Sequence, residues 1–135
     1  MSHTITYNQE TNIIETKARG DITLDEIKEM ISEFALVVKE TGSVLILTDY
    51  REATIRLSTT EIYSIHQILS DIFDSLGLKA QRIKRALVIA GDSRDYLFSE
   101  TVAYNRGQNT KVFYNIDEAK KWLTGQGDQT GHLGD

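Results

Sequence analysis

Two aspartates, each followed two positions later by an arginine, are the side chains in this sequence best placed to do chemistry. Asp49 and Arg51 come just after one apolar run, and Asp92 and Arg94 come just after another. Ligands in open α/β sheets favour the crevice beyond the carboxyl ends of the strands. If the two runs are neighbouring parallel strands, these four side chains would share a rim that could bind an anionic head group or perform acid–base chemistry. In the alternative interpretation, one aspartate closes a turn and the other caps a helix.

The segment at residues 95–106 is expected to form a helix rich in aromatic side chains, among them Phe98. Aromatic residues on one helical face would pack on a sheet. Aromatic residues on two faces would instead suggest a lid over an apolar pocket or a contact surface. Arg106 precedes Gly107, so it either ends the helix or uses its guanidinium to hold an anion.

A group of basic residues precedes the second apolar run. It contains Lys79, Arg82, Lys84 and Arg85. Each basic residue near an anionic membrane contributes about 1 kcal/mol to binding, so this patch could contact lipid or a partner. The alternative is a solvated loop whose charges keep the start of the following strand soluble.

Several kinds of site are missing from the sequence. There is no cysteine, which removes disulfides, thiolate nucleophiles and cysteine-ligated zinc. Neither a glycine-rich phosphate loop nor a serine nucleophile elbow is present. His66 is expected at the edge of the core, and His3 and His132 are expected in flexible ends. We therefore predict no cofactor, no metal site and no catalytic residue, with an enzyme acting through the aspartate rim kept as an alternative.

Length and charge indicate one globular domain that does not bind nucleic acid. A chain of 135 residues suits a single core, and a formal net charge of −5 does not favour binding to phosphates. The sequence has no secretory signal pattern and no apolar run long enough to span a bilayer, so we expect a cytoplasmic location. Residues 1–123 are expected to form the domain, and the polar residues 124–135 a disordered tail.

The order of apolar patterns predicts an α/β fold. An opening β-hairpin is followed by helices that alternate with strands, which gives a mixed sheet of about five strands flanked by about four helices. Capping-box spacings at Thr23 and Ser58 mark the starts of two helices, and Gly42 marks the end of the first. The second strand is expected to break at Gly20, and the third to end at Asp49 before a loop over residues 50–57.

Three segments near the C-terminus carry a resemblance to a known family. They are Phe-Ser-Glu-Thr-Val-Ala-Tyr-Asn-Arg-Gly at residues 98–107, Lys-Val-Phe at 111–113 and Asp-Glu-Ala-Lys-Lys-Trp-Leu at 117–123. Together they resemble the C-terminal signature of the bacterial SpoIIAA-like family, whose fold is related to STAS domains and to CRAL-TRIO lipid carriers. The resemblance implies a small mixed sheet flanked by helices, and binding of apolar ligands or reversible association with membranes.

The resemblance does not extend to a phosphorylation switch. Anti-sigma-factor antagonists of the STAS group place a phosphorylatable serine directly after the central strand, whereas residues 49–53 here read Asp-Tyr-Arg-Glu-Ala. Ser58 comes later and is accounted for as a helix cap.

Three functions therefore stand as hypotheses. The first is a non-enzymatic STAS or CRAL-TRIO-like module that holds an apolar or lipid-like molecule between the helix at residues 95–106 and the sheet, with peripheral membrane contact. The second is a regulator that binds another protein through an exposed helical face. The third is an enzyme that uses the Asp49 and Asp92 rim. A homodimer is a candidate assembly.

Overall fold

The computed structural model describes residues 2–90 and 109–125, which form a mixed sheet with helices on both faces. The five strands are β1 (Ser2–Asn8), β2 (Ile13–Ile22), β3 (Leu45–Ile55), β4 (Lys84–Val88) and β5 (Asn109–Phe113). The helices in these ranges are α1 (Leu24–Thr41), α2 (Thr59–Ser75) and α3 (Ile116–Leu123), and a 3-10 turn at Ala80–Arg82 precedes β4. The helix expected at residues 95–106 lies outside the described residues, as do residues 126–135 of the tail expected at 124–135. Thr124 is the C-cap of α3.

The strands lie in the sheet in chain order. The strands β1 and β2 form the predicted antiparallel hairpin, and each later neighbouring pair is parallel. Parallel neighbours need a crossover, which α1 supplies between β2 and β3 and α2 supplies between β3 and β4. The predicted α/β class and the mixed sheet are confirmed.

Alternation along the strands divides the core into two layers. Ile14, Ile46 and Leu87 pack with α1 and α2 on what we call the two-helix face. Their neighbours in sequence, such as Leu47 and Val88, pack with α3 on the opposite face, the α3 face. Because successive side chains of a strand point to opposite faces, these assignments also tell which way each polar residue of the sheet points. None of the described helices combines the length and the apolar composition that crossing a membrane requires.

The helix ends confirm one capping box and correct the other. At the start of α2, the Ser58 hydroxyl accepts from the Glu61 amide and the Glu61 carboxylate accepts from the Ser58 amide. Thr23 is the N-cap of α1, but its side chain makes no capping hydrogen bond, so the box predicted there is wrong. The α1 helix ends at Gly42, as predicted, with a φ of 77° that a residue lacking Cβ adopts readily.

The strands β2 and β3 both continue past their expected ends. Residues 19–22 of β2 pair with residues 52–55 of β3, beyond a register irregularity between Lys17 and Arg19. Gly20, with a φ of 82°, lies inside β2 next to that irregularity rather than ending the strand. Each extension has the polar composition that predicts a loop. Hydrogen bonds between the two extensions nevertheless satisfy their backbone groups.

Candidate functional site

A cleft opens on the two-helix face between α1, α2 and the sheet. Its apolar walls come from both helices and from the far end of β3, and they include Ile27, Ile31, Phe34, Leu57, Ile62 and Ile65. The cavity volume is about 30 Å³, room for about one water molecule, so a larger ligand enters only if the helices or the side chains at the mouth move apart. In composition the lining resembles small-molecule sites, which are mostly apolar with a few convergent polar groups.

Arg85 lies at the floor of the cleft and is almost completely buried. Its exposed fraction is 6%, and it lines the cleft beside Thr48, Tyr50 and Leu87. Within residues 2–90 and 109–125, no group accepts a hydrogen bond from Nε or Nη1, and no carboxylate forms an ion pair with the guanidinium. Burial lowers the pKa of Arg85, with a partly opposing effect of Tyr50. An arginine nevertheless stays charged in proteins. The cleft therefore contains a buried positive charge.

Arg85 is one of four buried polar residues on the two-helix face of the sheet, which form two cross-strand pairs offset by two residues and which we call the polar strip. Its members come from four neighbouring strands: Thr16, Thr48, Arg85 and Thr110. Thr16 pairs with Thr48, and Arg85 pairs with Thr110. The hydroxyl oxygens of Thr16 and Thr110 also have no hydrogen-bond partner in the described part of the chain. Native interiors rarely leave several polar atoms unsatisfied in one place, so the polar strip marks a place where polar partners belong.

Tyr50 adds a further polar group to the cleft. Its side chain points to the two-helix face, and the residue is 8% exposed. Burial raises the pKa of its hydroxyl, and the nearby charge of Arg85 offsets part of that rise. The hydroxyl is therefore protonated at neutral pH and can donate a hydrogen bond.

The burial of Arg85 corrects the expected surface patch. The strand β4 begins at Lys84, inside the basic group that was expected to precede it, and this start turns Arg85 into the core. Lys84 points the other way: its Nζ lies 4.5 Å from the centre of the Trp122 ring and donates to the Trp122 carbonyl. Lys79 and Arg82 are exposed. The four residues do not form one surface, and contact of Lys79 and Arg82 with a membrane or partner stays a prediction.

Asp49 and Arg51 lie together, but on the α3 face rather than in the cleft. Arg51 donates to Asp49 from Nε, Nη2 and its backbone amide, each at 3.0 Å. Burial would raise the pKa of Asp49, but the hydrogen bonds and charge of Arg51, with Lys17, lower it below its ordinary value. The carboxylate is therefore held ionised in a local ion pair, which does not suit proton transfer. Because β3 continues to Ile55, Asp49 lies inside the strand and does not close a turn.

The other residues of the expected rim and lid fall outside the described residues. These are Asp92, Arg94, Phe98 and Arg106. Whether Asp92 approaches Asp49 therefore stays a prediction, as does a pocket beneath a helix at residues 95–106. His66, expected at the edge of the core, is completely buried.

His3 lies in β1 rather than in a flexible end, and it joins that strand to α1. Its Nε2 lies 2.9 Å from Glu33 Oε2, and its Nδ1 lies 3.4 Å from Glu26 Oε2. Ligand atoms of His3, Glu26 and Glu29 all lie within 4.8 Å of one another, a spacing that a metal ion could use. Both ring nitrogens already face carboxylates, so the contacts account for the attachment of the edge strand to the helix.

Sequence reasoning missed the cleft because it read Arg85 as a surface residue. A signal was present: Arg85, Leu87 and Ile89 alternate along one continuous run, and the last two are apolar. Period-two alternation places all three on one face of a strand. A strand that begins at residue 84 includes Arg85 and points its side chain into the core.

Comparisons with known proteins agree with this architecture. The family model described as SpoIIAA-like matches residues 13–124. An uncharacterised protein of the DUF3478 family from Shewanella loihica PV-4, described as having a SpoIIAA-like fold, superposes with a TM-score of 0.53 at 18% identity. That match covers 90% of this chain and 92% of the other. Comparison with curated proteins gives no match. The fold is that of a STAS-type module, and the chain belongs to the SpoIIAA-like family.

Proposed function

We propose that this protein is a non-enzymatic binding module that holds an amphiphilic small molecule in the cleft between α1 and α2. The observation that carries the proposal is the combination of apolar walls with the buried guanidinium of Arg85, whose Nε and Nη1 have no hydrogen-bond partner in the described part of the chain. An apolar chain would replace water along the walls, and a polar end would supply hydrogen bonds at the floor.

The proposed ligand site lies on the α1 and α2 side of the sheet. It is not the site beneath the helix at residues 95–106 that the sequence suggested. Both helices contribute buried apolar residues to the walls, among them Ile31 and Ile62. The cavity volume is small, so a chain of small cross-section requires less movement of α1 and α2 than a bulky ring system does. Leu57 lies at the mouth and is partly buried, which makes it the natural position for a blocking substitution.

Nuclear magnetic resonance titration of the ¹⁵N-labelled protein with decan-1-ol and decanoate, below their micelle concentrations, tests this proposal. We expect saturable shifts centred on Tyr50 and Leu87, and at least tenfold weaker binding in L57W. The control variant L36W adds the same indole at an exposed helical position, where Leu36 is 52% exposed, and should bind as the parent does. Failure of both amphiphiles to bind would overturn the proposal.

Reversible contact with anionic membranes is the second part of the proposal. A shallow groove near the entrance to β4 is lined by the exposed Lys79 and Arg82 and by the apolar Val44 and Leu78. Basic side chains beside exposed apolar ones are the combination that binds peripheral proteins to anionic bilayers. Val44 is 36% exposed, enough to reach the lipid interface.

Sedimentation with phosphatidylserine-containing vesicles tests this part. The double variant K79Q/R82Q should bind roughly 30-fold more weakly at low salt, since each basic residue contributes about 1 kcal/mol. The control R56Q removes one charge from a surface at the other end of β3 and should change binding little. Equal binding of parent and double variant would exclude this surface.

A further inference from the structure

We infer that the ligand of the cleft is a carboxylate amphiphile, with its head group at Arg85 and its chain between α1 and α2. This inference rests on the proposed function and adds the chemical class of the ligand. The cleft carries one buried positive charge, and its other polar side chains, Thr48 and Tyr50, are neutral. A ligand with an anionic end therefore has a matching charge in the cleft, whereas a neutral one leaves the guanidinium unbalanced.

Charge balance favours a singly charged head group over a doubly charged one. Removing an ion from water costs several kcal/mol unless an opposite charge and hydrogen bonds compensate for it. A carboxylate has one negative charge and balances one guanidinium. A phosphate monoester has a charge of about −1.5 to −2 at neutral pH, so it would leave negative charge buried in an apolar cleft. No second cation lines the cleft among the described residues.

Hydrogen-bond chemistry agrees with the same choice. A guanidinium has five N–H donors, and carboxylate oxygens accept from it along either edge. At Arg85, Nε and Nη1 are buried and without partners in the described part of the chain. They lie on different edges of the guanidinium, so either edge still offers a donor to a carboxylate. These unpartnered N–H groups suit an acceptor-only head group.

The experiment compares decanoate, decan-1-ol and decyl phosphate on the full-length parent protein by the same titration. We expect decanoate to bind at least tenfold more tightly than the other two. The variant R85M should lose about 10- to 100-fold in affinity for decanoate, because hydrogen bonds to a charged group are lost, and should keep its affinity for decan-1-ol. The control R82M removes an exposed arginine and should keep the preference for decanoate.

The outcomes separate this inference from the proposed function. Equal binding of decanoate and decan-1-ol by the parent would overturn the carboxylate assignment and leave the binding module standing. Tighter binding of decyl phosphate would overturn the assignment in the same way. If R85M fails to fold, R85K answers the question, because it keeps the charge but loses the planar donor array. A decanoate preference in R85K equal to that of the parent would contradict the role of the guanidinium.

Discussion

Arg85 of β4 lies beside Ile46 of β3 in the parallel register, so a guanidinium points to the same face as a completely buried isoleucine. That face is covered by α1 and α2, whose contact residues are apolar. The neighbour of Arg85 on β5 is Thr110, whose hydroxyl has no hydrogen-bond partner within the described ranges. A charge in such a place costs stability unless something compensates for it.

Removing that charge is therefore expected to stabilise the ligand-free protein or leave it unchanged. Methionine has nearly the length of arginine and suits an apolar environment, so R85M should change the free energy of unfolding by between zero and about +4 kcal/mol. Urea denaturation of ligand-free protein measures the change. R82M, at an exposed position, should stay within about 0.5 kcal/mol of the parent. If R85M lowers the free energy of unfolding by more than about 1 kcal/mol, Arg85 stabilises the ligand-free fold, contrary to this expectation.

The Asp49 and Arg51 ion pair is expected to make stability depend on pH in the acid range. Because the pKa of Asp49 is lower in the folded state than its ordinary value of 3.8, its contribution is fully present above that value. The contribution is lost as pH falls through the folded-state pKa. At pH 7, D49N should lower the free energy of unfolding by about 1–2 kcal/mol, and the difference from the parent should shrink towards pH 2.

Denaturant titrations at a series of pH values check this expectation, with D21N as the control. The Asp21 side chain is 65% exposed, and its contact with Arg56 is longer, at 3.7 Å. D21N should therefore change the free energy of unfolding little. A D49N difference that stays constant from pH 7 to pH 2 would contradict the ion-pair origin of the effect.

The two helix starts make a matched pair for measuring capping. Ser58 makes the capping hydrogen bond with the Glu61 amide at 3.2 Å, whereas Thr23 makes none. The variant S58A should therefore lose about 1 kcal/mol of stability. T23A should stay within about 0.5 kcal/mol of the parent, since its hydroxyl satisfies no helix amide. Thermal unfolding of both variants measures the difference. Equal losses of stability would show that the capping hydrogen bond of Ser58 does not stabilise the protein.

Lys84 is expected to contribute to the docking of α3 on the sheet. Its Nζ donates to the Trp122 carbonyl near the end of α3 and lies over the Trp122 ring. The variant K84M keeps the aliphatic stem but loses the hydrogen bond and the cation–π contact, so it should cost about 1–2 kcal/mol. Hydrogen exchange at residues 116–123 should rise in K84M and stay at the parent rate in K79M, because Lys79 is exposed and lies outside α3. Unchanged exchange in K84M would exclude this role.

Several features could be predicted from sequence because they depend on residues close together in the chain. Apolar spacing located α1 and α2, and Gly42 and Ser58 marked helix ends through local hydrogen bonds and left-handed backbone. The C-terminal segments between residues 98 and 123 carry the resemblance to the family to which the chain belongs.

Tertiary structure decided the features in which distant residues meet. The extensions of β2 and β3 exist because residues 19–22 and 52–55 pair with each other, and neither segment carries a strand pattern alone. His3 is held by Glu26 and Glu33, which lie more than twenty residues away in the chain. A local pattern cannot contain such partners.

By itself, the sequence determined an α/β domain of the SpoIIAA-like family, the order of its elements and the local caps of its helices. It predicted Asp49 and Arg51 just beyond a strand, whereas they lie within β3 and form an ion pair on the α3 face. Only the tertiary structure decided that Arg85 lies inside, at the floor of a cleft between two helices. The physical reason is that the face to which a strand residue points depends on where pairing begins, and a shift of one residue exchanges core and solvent.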